Sequence, residues 1–392
     1  MTWGNAKIKE EAINTTPIRR LALITSQAFS IGNFRGPLVR DLVSHGIQVF
    51  ALAPDYHKES RAVVSELGAV PVDSSMMRSS INPLRDLTDF LKLAKLLKEL
   101  QVDAVFSYFI KPVIYGTLAA RMVGIAKRFA MIEGAGYVFN DIDSLSWKRR
   151  ILRFFVSRLY RLSLSGADVV FMLNRDDKKL FVDDGMVSAN KVQLLDGIGL
   201  DLEFFKPVPL VTEPITFILV ARLLREKGIV EYIDAARLVK ARHPEVSFLL
   251  VGGVDLNPNS ITEAEVCSWV NEGVIEWPGQ VSDIRQWLAF SSVFVLPSYY
   301  REGLPRSTQE AMALGRPVIT TDSPGCRETV ENGINGLSIP VRDSGSLAVA
   351  MSYFIEQPKQ IISMGRESRR IAEERYDVRT INKEILASMG II

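Results

Sequence analysis

The chain has 392 residues, 47% of them hydrophobic and 23% charged, with a formal net charge of +2 at pH 7. That length and apolar content imply a globular protein of two domains, and no apolar run approaches the roughly 18 residues of a membrane-spanning helix. The charge is too balanced, and too poor in Lys/Arg blocks, for a nucleic-acid-binding surface.

The opening stretch, MTWGNAKIKEEAINTTPIRR, is polar and lacks a signal-peptide core. Residues 1–17 therefore read as a flexible tail on a cytoplasmic protein. Residues 18–203 carry β-rich runs at LALIT (21–25), IQVFALA (47–53), DAVFSY (103–108), RFAMIE (128–133), DVVFML (168–173) and KVQLL (191–195). Amphipathic stretches such as PLVRDLVSHG and NPLRDLTDFLKLAKLLKEL separate them. The Pro-bearing stretch FFKPVPLVTEP (204–214) reads as a linker. Residues 215–375 repeat the alternation, with ITFILV (215–220), VSFLLVG (246–252), SVFVLP (292–297), PVIT (317–320) and GLSI (336–339). Continuous apolar strands separated by helices predict parallel sheets covered on both faces. The fold class is α/β, with two doubly wound, Rossmann-like domains. A final helix, 376–392, lies beyond the second sheet and is placed to cross back to the N-terminal domain. Ligands of such sheets sit at the carboxyl ends of the strands, so two facing sheets leave an interdomain cleft.

The charge is uneven, +7 over residues 1–200 and −5 over the rest, which points to different partners for the two halves. The two cysteines, Cys267 and Cys326, fit no metal or redox spacing, and no acidic cluster has metal-ligand spacing. No metal or cofactor is expected. SQAFSIGNFRG, after the first strand, lacks the G-x-G-x-x-G of dinucleotide-binding folds, and a Walker A sequence is absent.

Basic residues recur at strand-to-helix turns: Arg222, Arg225 and Lys227 before a helix starting near Gly228, Arg306 before STQEAMALG, and Lys111 beside Pro112. A cation there opposes the helix dipole, whereas exposed N–H groups favour an anion. A bound diphosphate resolves the conflict; long side chains leaning into solvent are the plainer reading. In REGLPRSTQEAMALGRPVI (301–319), Glu302 has no evident local duty and can accept hydrogen bonds from sugar hydroxyls. Glu310 has an alternative: Ser307 and Glu310 match a capping box.

REGLPRSTQEAMALGRPVI resembles the E-x7-E motif of retaining glycosyltransferases of the GT-B fold, in the large family 4. ARLLREKG is similar to that family's diphosphate clamp, and SPGCRETVENGINGLSIPVRD to its closing motif. NFRGPLVRDLVSHGIQVFALAPD, IKPVIYGTLAARMVGI, EGAGYVFND and LNRDDKKLF resemble bacterial transferases that extend undecaprenyl-diphosphate-linked sugars. The resemblance implies that Arg222 and Lys227 bind the donor diphosphate and that Glu302 faces the transferred sugar. Gly303 and Leu304 then offer backbone N–H groups, with Arg306 in the phosphate-facing turn, and Glu310 takes the ribose. Gly279 to Val281 contact the base, and Gly252 and Gly253 allow close backbone approach to the nucleotide. Glu133, in MIEGAGY, stands where many family members carry a histidine. It reads as base, nucleophile or acceptor-hydroxyl ligand, or as a strand-end carboxylate paired with a cation. Asn33, Phe34, Arg35, Lys111 and Tyr137 are the acceptor-side candidates.

SWKRRILRFFVSRLYRLSLSG (146–166) carries six cations and no acid. It suits a helix on anionic lipid, or a domain helix with its apolar side on the sheet and its basic side in water. The expectation is a retaining transferase, peripheral on the cytoplasmic face of a bacterial inner membrane, moving a sugar from a UDP-sugar to a polyprenyl-diphosphate-linked glycan. A UDP-sugar 2-epimerase of the same fold and a catalytically idle sugar-nucleotide-binding protein are the alternatives.

Overall fold

The computed structural model describes residues 17–76, 83–139, 147–255, 257 and 260–392, so residues 1–16 of the expected tail lie outside it. The first sheet contains β1 (Arg20–Ile24), β2 (Gln48–Ala53), β3 (Val70–Asp73), β4 (Ala104–Tyr108), β5 (Lys127–Ile132), β6 (Val169–Met172) and β7 (Val192–Leu194). The second contains β8 (Thr216–Val220), β9 (Ser247–Val251), β10 (Glu276–Gly279), β11 (Val293–Leu296), β12 (Val318–Thr321) and β13 (Gly336–Ile339). Their orders are β3-β2-β1-β4-β5-β6-β7 and β10-β9-β8-β11-β12-β13, and every pairing is parallel. The two doubly wound sheets are those the apolar runs predict.

Two strands had no such run. β3 (VPVD) and β10 (EWPG) are partly exposed edge strands, and each contains a proline, which a sheet tolerates at its edge. The central strands follow the buried pattern: Leu21 to Ile24, Ala104 to Phe106 and Val293 to Val295 are 0% exposed. Such strands need both faces covered, and helices such as Gly36–Ser44 and Ile229–Lys240 supply the cover through Leu38, Leu42, Tyr232 and Ala236.

The strand order reverses between β1 and β4 in one sheet and between β8 and β11 in the other. Crevices open at the carboxyl ends of such strand pairs. In the first sheet both exits are irregular. β1 leads into a π-helical turn, Ile31–Arg35, and β4 into another, Pro112–Gly116, where an ordinary helix start was expected at Pro112. Just before the second turn, Phe109 has φ of 70°, which is costly for a residue with a Cβ.

The final helix, Val378–Ser388, packs against helix Gly36–Ser44 of the first sheet, and Asn382 Nδ2 donates to Asp41 Oδ2 at 2.7 Å. The entry to that helix is stitched to the chain before the linker: Leu200 N donates to Tyr376 O (2.7 Å), and Val378 N to Leu200 O (3.0 Å).

Candidate active site

The crevices of the two sheets face each other across a cavity of about 860 Å³, within the usual range for small-molecule sites. Its walls come from the exits of β1 (Ser26, Phe34), β4 (Phe109, Lys111) and β5 (Glu133, Gly134). Opposite lie the exits of β8 (Arg222, Lys227), β9 (Gly252, Gly253) and β11 (Glu302, Arg306, Glu310), with Val281 beside them. A hollow of about 270 Å³ at the other, amino-terminal end of the first sheet is lined by Val102, Asp103 and Lys127, away from the strand ends where ligands bind.

Lys227 and Glu302 form the centre. Gly228 caps helix Ile229–Lys240 with φ of 75°, and a Cβ there would lie 2.0 Å from the Pro297 carbonyl oxygen, so only glycine fits. The tight turn sends Lys227 Nζ into the cleft, where it pairs with Glu302 Oε1 and lies 5.4 Å from the Tyr300 ring centroid. Ser298 Oγ also donates to Glu302 Oε1 at 3.1 Å, and Glu302 is 9% exposed. The loop carboxylate without evident duty is therefore held by two donors.

Two further pairs complete the back-half wall. Arg222 Nη1 donates to Asp255 Oδ2 at 2.7 Å, with the arginine 42% exposed. Arg306 Nε donates to Glu310 Oε1 at 2.9 Å, and its guanidinium lies 5.2 Å from the Phe34 ring centroid on the opposite domain. The capping box does not form: helix Arg306–Ala313 starts at Pro305 without a side-chain cap, and Glu310 turns to Arg306. Burial raises the Glu310 carboxyl above its ordinary value, opposed by the charge and hydrogen bond of Arg306. Arg225, read with the clamp, turns to Glu265 at 2.5 Å.

On the front-half wall, Glu133 pairs with Arg35, from the π-helical turn. Arg35 is 2% exposed and stacks 4.7 Å from the Tyr108 ring centroid. Burial lowers its guanidinium to about 10, with Tyr108 opposing and Arg306 adding to the fall. Glu133 thus has the cation its structural reading required, yet it lines the cavity. Lys111 also lines it, with Nζ donating to Asp86 Oδ1 at 2.7 Å. Phe34 lines the cavity, while Asn33 is exposed outside it and Arg35 lies beneath Glu133. Tyr137 sits in a 3-10 turn, and its side chain lies outside the described residues.

Gly303 and Leu304 do not line the cavity, and Gly303 makes the contact between the two walls. A Cβ on Gly303 would lie 2.6 Å from the Glu133 carbonyl, and one on Gly134 (φ 108°) would lie 2.7 Å from Gly303 N. Asn174 Nδ2 donates to the carbonyls of Gly303 (2.7 Å) and Glu302 (3.0 Å). Arg301 Nε donates to Asp177 Oδ1 at 2.6 Å, and Ala135 N to Asp177 Oδ2 at 3.1 Å. Asn174 and Asp177 fix the Glu302 loop and carried no assigned role in the sequence. Their one local signal is Asn174 as cap of helix Arg175–Asp183, where its side chain accepts from Asp177 N. Gly252, at φ of 153°, lies against Ala221 O, and Gly253 against Gln280. Val281 reaches the cavity, but Gly279 stops short, its carbonyl accepting from Gly252 N at 2.9 Å. Among the described residues no group of His, Cys, Asp or Glu is arranged to hold a metal ion.

Residues 31–196 match the family model described as Glycosyl transferase 4-like domain, and residues 214–357 that described as Glycosyl transferases group 1. The N,N'-diacetylbacillosaminyl-diphospho-undecaprenol alpha-1,3-N-acetylgalactosaminyltransferase of Campylobacter jejuni is 29% identical over 94% of this chain and 97% of the relative. The UDP-Gal:alpha-D-GlcNAc-diphosphoundecaprenol alpha-1,3-galactosyltransferase of Escherichia coli is 25% identical over 80% of this chain and 84% of the relative. Anabaena HepE in complex with UDP superposes with a TM-score of 0.75 at 18% identity, over 96% of this chain and 100% of that one. Sucrose-phosphate synthase of Thermosynechococcus elongatus superposes with a TM-score of 0.76 at 19% identity, over 94% and 97%. These likenesses show the fold, the GT-B pair of facing Rossmann-like domains.

Proposed function

A chain whose two halves match these models belongs to the glycosyl transferases, and on that premise we propose a retaining, family 4 type reaction. The enzyme moves an N-acetylhexosamine or hexose from a UDP-sugar to a polyprenyl-diphosphate-linked saccharide, during assembly of a bacterial surface polysaccharide or glycoprotein glycan. The names of the Campylobacter and E. coli relatives support the acceptor class, and the UDP complex of the Anabaena neighbour supports the donor. The enzyme works peripherally, at the cytoplasmic face of the membrane that holds such an acceptor; no helix among the described residues is long and apolar enough to cross it.

The observation that carries the reading is the Lys227–Glu302 pair at the start of helix Ile229–Lys240, with Arg222 and Glu310 on the same wall. Lys227, Arg222 and the helix N-terminus can together stabilise negative charge on a departing diphosphate. Arg222 is exposed enough to exchange Asp255 for a phosphate oxygen at a cost of about 1 kcal/mol or less. Glu302, with Oε1 occupied by Lys227 and Ser298, presents its other oxygen to sugar hydroxyls. Glu310 serves the ribose.

In the reaction the bond from the anomeric carbon to the β-phosphate oxygen breaks, and the acceptor oxygen bonds that carbon on the same face. The acceptor proton passes to the leaving phosphate, through an oxocarbenium-like transition state. Glu133 lies across the cavity, where a carboxylate held by Arg35 can orient the acceptor hydroxyl.

Incubation with UDP-sugars, with and without a polyprenyl-diphosphate-linked acceptor, tests the reading through UDP release. Acceptor-dependent release is expected. Acceptor-independent isomerisation of the sugar identifies an epimerase, and binding without turnover an idle protein.

A further inference from the structure

Helix Trp147–Leu164 packs its inner side on the first domain through Tyr160, Ser163 and Leu164, all 0% exposed. Tyr160 packs on Phe139 and Phe181 and also lines the active-site cavity. The outer side is not the plain basic face expected of a domain helix. Trp147 (68% exposed), Ile151, Phe154 (55%), Phe155 (58%) and Leu162 all face solvent, and at 3.6 residues per turn they fall within about 100° of arc. Three of these five are aromatic, and all five lie on the side of the helix turned away from Tyr160, Ser163 and Leu164.

Exposed Arg150 borders this stripe, and Arg158 lies within it, its guanidinium 5.1 Å from the Phe154 ring centroid; Arg161 instead donates to the carbonyls of Gly185 (2.8 Å) and Asp184 (2.7 Å). No acidic residue occurs between positions 147 and 164. Helix Pro83–Leu100 packs on the same segment, residues 112–122, and leaves Leu84, Leu87 and Leu91 exposed at helical spacing. Neighbouring helices of one domain thus both present apolar residues outward.

We infer that the outer face of helix Trp147–Leu164 docks on an anionic phospholipid bilayer, its aromatic stripe entering the interface and its arginines meeting lipid phosphates. Charge complementarity selects this occupant. A two-fold contact between copies would bring the Arg150 and Arg158 cations of both patches together with no acid on the helix to offset them, whereas an anionic bilayer satisfies apolar and cationic groups at once. Tyr160 ties the docked helix to the cavity wall, so docking holds the active site at the membrane surface.

The full chain is tested by co-sedimentation with vesicles of phosphatidylcholine alone and of equal parts phosphatidylcholine and phosphatidylglycerol, with no acceptor present. Binding to the anionic vesicles is expected, and the double variant Phe154→Glu/Phe155→Glu should weaken it by at least about tenfold. UDP binding by calorimetry, measured on the same samples, should be unchanged in the variant. Should that variant also lose UDP binding, Arg150→Glu/Arg158→Glu decides by the same tenfold criterion. No binding to anionic vesicles, equal binding to both compositions, or variants that bind like the wild type would each overturn the inference. So would a wild-type dimer that the variants dissociate without any vesicle binding. None of these outcomes depends on which acceptor the enzyme uses.

Discussion

Glu302 and Glu310 sit in unlike surroundings although only eight positions separate them. Glu302 is held by Lys227 and Ser298 and lines the cavity, while Glu310, also in its wall, is partly buried against Arg306. Glu302→Ala removes the carboxylate and leaves Lys227 without its partner; steady-state kinetics should show kcat reduced by about 10²–10³, as when a preorganised transition-state contact is lost. Full activity in that variant would refute the role. Lys227→Ala should cost a similar factor in kcat, with UDP release again the readout. Glu310 gives a pH signature. Its folded pKa is raised by burial, so the charged form burdens the folded state at pH values above the raised pKa. That burden disappears as pH falls through the raised value towards the ordinary value of 4.5. Glu310→Gln should therefore be more stable than wild type near pH 7, by thermal denaturation, and the gain should shrink on acidification.

At the scale of elements, the Glu302 loop depends on the neighbouring domain for its shape. The Arg301–Asp177 pair is nearly out of solvent, with side chains 13% and 1% exposed. Arg301→Ala leaves Asp177 as a buried carboxylate without its cation, and chemical denaturation should register a loss of about 3–5 kcal/mol. Gly303→Ala acts at the same place by steric means. Its Cβ would lie 2.6 Å from the Glu133 carbonyl, so the loop must withdraw from the opposite wall. Activity should fall in this variant while circular dichroism stays native. These contacts also explain what could be read from the sequence. Buried strands such as VFVL announce themselves by continuous apolar runs, and the clamp and E-x7-E residues are local, each a few positions from a strand end. The edge strands VPVD and EWPG have no such run because they are partly exposed and each is interrupted by a proline. Arg35–Glu133 and Arg301–Asp177 join segments 98 and 124 positions apart, and neither residue's local pattern names its partner. The outward aromatics of helix Trp147–Leu164 were legible as composition only; which side they face follows from where Tyr160 and Leu164 pack.

For the whole molecule, the two sheets share one polypeptide that passes between them twice, once through residues 204–214 and again before the final helix. Ile381, Ile385 and Leu386 of that helix and Met389 just after it are 2–3% exposed, and burying each contributes about 1.5–3 kcal/mol. Truncation after Tyr376 should therefore remove a large part of the 5–15 kcal/mol typical of native proteins. Calorimetry is expected to show a markedly lower Tm, with the loss concentrated in the first domain. The paired passage also constrains movement. Domains joined by one strand of chain can swivel in any sense, but here the outgoing and returning segments are stitched together at Leu200, Tyr376 and Val378. Two tethers bonded to each other restrict the relative twist of the domains more than a single one would. Any withdrawal of the Glu302 loop from Glu133 would also have to part Arg301 from Asp177 and Asn174 from the Gly303 carbonyl.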